Sequence, residues 1–168
     1  MAYSAYIITD VEDKILLLQA NYAPKGYPLG VWMNPGGRLE NSDSDILSGA
    51  VREWEEEVGT PFPISFSDIK LLGIFSQEDG TFCIVFFVTL DKNLLFESIP
   101  VSHDEVAEIK QRKLFSLLEI QNLKEEKKIF PAQYRFISWY SQIRFSSRAF
   151  PIYNRVIPVE EPKLITSK

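Results

Sequence analysis

The stretch VREWEEEVG, residues 51 to 59, places Glu53, Glu55, Glu56 and Glu57 within five positions. On a helix, like charges three or four residues apart repel by about 0.2–0.5 kcal/mol per pair. With Glu53 at zero and about 100° per residue, Glu57 falls near about +40° and Glu56 near about −60°. Ile46, Leu47, Ala50, Val51, Trp54 and Val58 cover the arc from about 20° to about 160°. The acidic arc therefore borders the stripe expected to be buried, and Glu55, near about 200°, is the carboxylate expected to face water. Carboxylates held at the margin of a core are unfavourable unless a cation neutralises them, and oxygen-only ligands suit Mg²⁺ or Mn²⁺ rather than zinc. Arg52 is placed to pair with Glu56 across one turn, but one guanidinium does not offset the cluster. Taken alone, the stretch also fits an ordinary solvated helix face, since glutamate is a good helix former. The neighbouring sequence weighs against that reading.

The acids must be carried by a helix from about Asp43 to Val58, with Ser42 or Asp43 as its N-cap and Gly59 just past its end. Before it, residues 21–38 (NYAPKGYPLGVWMNPGGR) are rich in glycine and proline and read as loop with a short strand at Val31 to Met33. AYIIT and KILLLQ, parted by DVEDK, read as strand, turn, strand. After PFPISFSD, a loop, IKLLGIFSQ and TFCIVFFVTL flank EDG, a hairpin whose second strand is apolar enough to be covered on both faces. ESIPVSHDEVAE reads as an acidic loop, and IKQRKLFSLLEI as a strand running into a short helix. Pro131 opens a closing helix whose apolar residues include Phe136, Ile137, Tyr140 and Ile143. Helices flanking a mixed sheet give an α/β layered domain.

At 168 residues the chain is expected to form one domain with its own core. The boundaries drawn are 1–148 for that domain and 149–168 for an irregular extension, with prolines at 151, 158 and 162. A net charge of −5 argues against a broad nucleic-acid or anionic-membrane surface. The single cysteine, Cys83, reads as a small buried hydrophobe in a reducing, cytoplasmic setting. The N-terminus lacks a signal-peptide pattern, and no apolar run approaches the roughly 20 residues of a membrane helix.

The order NPGGRLE, gap, REWEEEVG resembles the Nudix box of the Nudix hydrolases, in which G, five residues, E and seven residues precede R-E-U-x-E-E-x-G-U, U being apolar. This chain supplies Gly37, Arg52, Glu53, Trp54, Glu56, Glu57 and Gly59 in that order. VWMNPGG resembles the approach to the box, and the order of elements resembles the family out to about Arg144. The chain departs from the pattern in having Asp43 at the first acidic position, one extra residue between Gly37 and Arg52, and Thr60 at the last apolar position.

The resemblance implies a Nudix-like α/β/α sandwich with a mixed β-sheet. It implies Mg²⁺ (or Mn²⁺) held by Glu53, Glu56, Glu57 and the carbonyl of Gly36, Arg52 oriented by Asp43, and hydrolysis of a nucleoside diphosphate linked to another moiety. ADP-ribose and nucleoside triphosphates are the main substrate candidates, with dinucleotide polyphosphates and capped RNA ends left open. The general base would be Glu57 in the box or Glu105 or Glu108 on a later loop; His103, the only histidine, is given no role. Gly37 and Arg38, with Lys25 nearby, are the candidate substrate contacts. Tyr22, Tyr27, Trp32 and Phe82 are aromatics able to stack on a base or to anchor the fold. A small-molecule nucleotide is the expected partner, with no membrane, no long nucleic acid, and a homodimer left open. A non-catalytic nucleotide-binding module and a purely structural domain are the competing classes.

Overall fold

In the computed structural model, the residues described are 3–59, 64–91 and 109–145, together with the backbone of 156–157. The first strand, β1 (Tyr3–Val11), runs through the middle of the sheet. It turns into β2 (Lys14–Ala20) through Glu12 and Asp13, both at positive φ (52° and 66°), the conformation a two-residue hairpin of matching twist requires. Strand β1 also pairs antiparallel with β4 (Gly36–Arg38) and parallel with β6 (Phe82–Leu90), so the sheet is mixed. Strand β6 pairs with β5 (Lys70–Ser76) across the hairpin expected at EDG. Strand β2 lies between short β3 (Trp32–Met33) and β7 (Ile109–Ser116).

Two cores flank the sheet because successive strand residues point to opposite faces. Ala5 and Ile7 of β1 join Leu16, Ala50, Trp54 and Val58 beneath helix α1 (Ile46–Val58). Ile8 joins Leu17, Phe75, Phe136, Ile137 and Tyr140 beneath helix α3 (Pro131–Phe145). Helix α2 (Leu117–Glu125) starts at a capping box between Ser116 and Glu119, which fixes where β7 ends. The result is the α/β/α arrangement expected, covered on both faces. No helix among the described residues is long and apolar enough to cross a membrane.

Three local expectations change. The N-cap of α1 is Asp45, whose carboxylate accepts from the Ser48 amide at 2.7 Å; neither Ser42 nor Asp43 caps it. Ile46 is 44% exposed rather than buried, since as the first helical residue it lies at the end of the stripe. Within the tail read as irregular, Val156–Ile157 form strand β8, parallel to β5, two β-branched residues that extend the sheet edge.

Candidate functional site

The glycine pair and the acidic helix meet through β1. Strand β4 is held by pairing Tyr6 with Gly36 and Ala5 with Gly37, while α1 packs over the same strand through Trp54, whose indole N–H donates to Thr9 Oγ1 at 3.1 Å. Gly36 has φ 149°, and a Cβ there would overlap the Ala5 carbonyl oxygen and Tyr6. Its amide donates to Glu57 Oε1 at 2.8 Å. A Cβ on Gly37 would come 2.7 Å from Glu53 Oε2, so that carboxylate rests directly on the glycine. The loop is tied from its other side by α3, because the Asn34 amide N and Nδ2 both donate to Gln133 Oε1 at 3.0 Å.

The three box acids differ in environment. Glu57 is 8% exposed, the Glu53 side chain 18% and the Glu56 side chain 60%. Glu56 thus shares the solvent with Glu55, against the expectation that Glu55 alone would. The helical wheel accounts for it: Glu56 lies about 150° from the middle of the apolar arc, farther than Glu53 or Glu57.

Arg52 is the hub. Its Nε donates to Asp43 Oδ1 at 2.8 Å and its Nη2 to Asp43 Oδ2 at 3.1 Å, a bidentate fork. Its Nη1 reaches Glu53 Oε1 at 2.8 Å, Glu56 Oε1 at 3.4 Å and, as an ion pair only, Glu40 Oε1 at 3.9 Å. One guanidinium is shared by four carboxylates. The hydrogen bond from Arg52 holds the Asp43 carboxyl below the usual carboxylate range, and Arg52 holds its own proton more firmly through Asp43. Burial pushes the Glu53 carboxyl upward even though Arg52 pulls it down. Gly49, in the first turn of α1, leaves room for the Asp43 carboxylate. Asp43, although shorter than glutamate, therefore still reaches Arg52.

Among the described residues, no three acidic, histidine or cysteine side chains converge closely enough to hold a metal as they stand. Each carboxylate is turned to a donor within the chain: Glu57 to Gly36, Glu53 and Glu56 to Arg52. The donor set nevertheless fits a hard dication. It is all oxygen, its negative charge exceeds that of Arg52, and Glu53 and Glu57 are withdrawn from bulk water.

A cleft of about 740 Å³ is lined among others by Tyr6, Tyr27, Gln77, Cys83, Phe130 and Phe136, and by none of the box residues. Tyr6 connects the two, being the strand partner of Gly36. Burial first, then the nearby Cys83 and Glu57, push its hydroxyl well above the ordinary tyrosine range, so it remains a hydrogen-bond donor. Tyr27 packs on Phe130 with ring centroids 4.8 Å apart, and Tyr6 on Phe136 at 5.7 Å. Burial likewise raises the Cys83 thiol, which stays protonated at neutral pH.

The sequence candidates divide accordingly. Gly36, Gly37, Arg52, Glu53, Glu56 and Glu57 come together, with exposed Arg38 next to them and its carbonyl 3.4 Å from Arg52 Nη2. Tyr22 and Tyr27 line the cleft, whereas Trp32 is buried edge-on against Phe115 and Phe82 stacks on Tyr3. Lys25 is exposed. Glu105, Glu108 and His103 lie outside the described residues. Tyr6, Gln77, Phe130 and Gln133 carry no local signal, because their cleft joins segments far apart in the chain.

A family model described as NUDIX domain matches residues 1–140. Among solved structures, a NUDIX hydrolase from Nitrosomonas europaea is 23% identical, aligned over 82% of this chain and 86% of that one, with a TM-score of 0.58. A C. elegans Ap4A hydrolase in a binary complex is 17% identical over 84% of this chain and 97% of its own, TM-score 0.58. A bifunctional NMN adenylyltransferase/ADP ribose pyrophosphatase from Francisella tularensis is 23% identical over 79% of this chain and 38% of its own, TM-score 0.58. These likenesses establish the shared fold. No curated protein matches this chain significantly.

Proposed function

We propose, for a chain that belongs to the Nudix family and is a hydrolase of the Nudix type, a divalent-metal-dependent pyrophosphohydrolase activity on a nucleoside diphosphate linked to another moiety. The observation that carries the reading is the placement of Glu53 and Glu57 against Gly37 and Gly36, Gly36 being paired across the strands with Tyr6 in the cleft wall. Glu53, Glu56, Glu57 and the Gly36 carbonyl would hold Mg²⁺ or Mn²⁺. When bound, the ion neutralises the diphosphate and makes phosphorus more susceptible to attack.

The remaining work falls to the chain itself. Asp43 fixes Arg52, and Arg52 keeps Glu53 and Glu56 on one side of the helix. Gly37 leaves the space in which the Glu53 carboxylate lies against the backbone, and Arg38 offers a positive charge to the phosphates there. Water activation falls to Glu57, or to Glu105 or Glu108 on the later loop. The organic part of the substrate occupies the cleft, where Tyr27 and Phe130 present aromatic faces. ADP-ribose, nucleoside triphosphates and dinucleotide polyphosphates share the required diphosphate, and the names of the similar Ap4A hydrolase and ADP ribose pyrophosphatase keep the first and last in view. The reading takes this activity to belong to a single domain, residues 1–148, in the cytoplasm, with a small-molecule partner and a homodimer left open.

The test is a panel of these nucleotides with Mg²⁺ or Mn²⁺, released phosphate species being measured. Metal-dependent turnover of at least one is expected. A nucleotide-binding module without turnover is the second reading, favoured by the irregular spacing of the box, with one extra residue between Gly37 and Arg52. Tight, metal-independent binding with no turnover on the whole panel would establish it instead.

A further inference from the structure

The last turn of α1 carries Glu55, Glu56 and Glu57 and no basic residue. This is the helix end at which unsatisfied carbonyls already make the macrodipole negative. A cation reaches that end from another strand. Arg112 of β7 is only 4% exposed, and its Nη1 donates to the carbonyl of Val58, the last residue of α1. It is delivered there by register, since Arg112 stands opposite Leu18 in the β2–β7 pairing, and Leu18 belongs to the core beneath α1. Gly59 follows at φ 103°, its amide on Glu55 O at 3.0 Å, so the chain leaves the helix at that point. Burying a guanidinium is costly unless its donors are used. Here the charge faces the negative helix end, and a donor meets a carbonyl that α1 itself leaves unsatisfied.

The residue before Val58 is Glu57, whose carboxylate holds the Gly36 amide. We propose that Arg112 is a positioning residue for the cation-binding end of the helix: by gripping the Val58 carbonyl it keeps the last turn wound, and with it Glu56 and Glu57 in register with Gly36. Arg52 acts on the same acids from their side chains; Arg112 acts on the backbone beneath them. The inference rests on Glu53, Glu56 and Glu57 being cation ligands, and it goes beyond that reading in assigning a residue outside the box.

The experiment compares wild type with Arg112→Met, which removes the donor, and Arg112→Lys, which restores a shorter one. Two quantities are read: the Mg²⁺ concentration giving half-maximal turnover, and the hydrogen-exchange rate of the Gly36 amide by NMR without metal. In Arg112→Met the Mg²⁺ requirement rises at least about fivefold while KM at saturating Mg²⁺ stays within about twofold, and the Gly36 amide exchanges at least about tenfold faster. Arg112→Lys falls between the two. An unchanged Mg²⁺ requirement with an unchanged Gly36 exchange rate overturns the inference. If Arg112→Met does not fold, Arg112→Lys decides alone: an Mg²⁺ requirement at least about twofold higher, with faster Gly36 exchange, supports the inference, and wild-type values overturn it. If wild type itself turns nothing over, the proposed activity has failed, and the Gly36 exchange rates still judge Arg112.

Discussion

Two acidic clusters in this protein each contain one arginine, and they are built in opposite ways. At the β1–β2 turn, buried Asp10 accepts from the Asp13 amide at 2.9 Å and from the Tyr140 hydroxyl, with Arg144 Nε 3.5 Å away. Arg144 also reaches Asp13 at 3.1 Å. Several donors converge on one carboxylate, joining the hairpin to α3. At α1 the ratio is reversed, with Arg52 shared among Asp43, Glu53, Glu56 and Glu40. The first cluster borders a cavity of about 430 Å³, but both oxygens of its buried carboxylate already accept from donors of the chain. The second holds more negative charge than its own donors neutralise, which is the condition for recruiting a cation.

The sharpest way to break this contrast is Glu56→Gln. Its side chain is 60% exposed, so the melting temperature should barely move, while turnover falls by at least about 10²-fold as for loss of a metal ligand acting in the transition state. Near-wild-type turnover would remove Glu56 from the mechanism.

Gly37→Ala comes next. The added methyl meets the end of the Glu53 side chain rather than backbone, so kcat should drop about tenfold with only a small thermal shift. A large thermal shift with unchanged kcat would show that the glycine serves the fold alone.

Asp10→Asn should do the reverse. Weakening a buried, charge-assisted knot costs about 1–3 kcal/mol, which for a chain of this size lowers the melting temperature by roughly 2–4 °C per kcal/mol. Its kcat should stay within about twofold of wild type, and a larger fall would mean that the two clusters are coupled.

The smallest effect is a pH dependence at Asp43. Its folded pKa is depressed by Arg52, so its contribution to stability is present above the unfolded value of about 3.9 and disappears as pH falls through the folded value. The stability difference between wild type and Asp43→Asn, measured by denaturant titration without metal, should therefore be present at pH 6 and shrink progressively below about pH 4. A difference that stays constant into strong acid would mean that the carboxylate charge is not what Arg52 uses.

How much was legible beforehand depends on how local each feature is. The hairpin at Glu12 and Asp13, the strand at TFCIVFFVTL and the helix opening at Pro131 follow from short-range chemistry, and all three stand where the sequence puts them. The cap of α1 does not. Both Asp43 and Asp45 are good N-caps, and the choice fell to Asp45 because Asp43 is engaged by Arg52, nine residues along the chain. Glu53 and Glu57 could be placed beside the core by helical periodicity, but the same geometry had to be weighed by distance from the apolar arc to see that Glu56 faces water.

By itself the sequence determined the family, the glycine pair and a helix with carboxylates along one margin of its buried stripe, because residue order and a 3.6-residue period are properties of the chain alone. Only the tertiary structure decided which donors those carboxylates face, that Tyr6 separates them from a cleft, and that Arg112 sits under the end of their helix. Those relations are set by strand pairing and by α3 closing over the sheet, which bring together residues tens of positions apart.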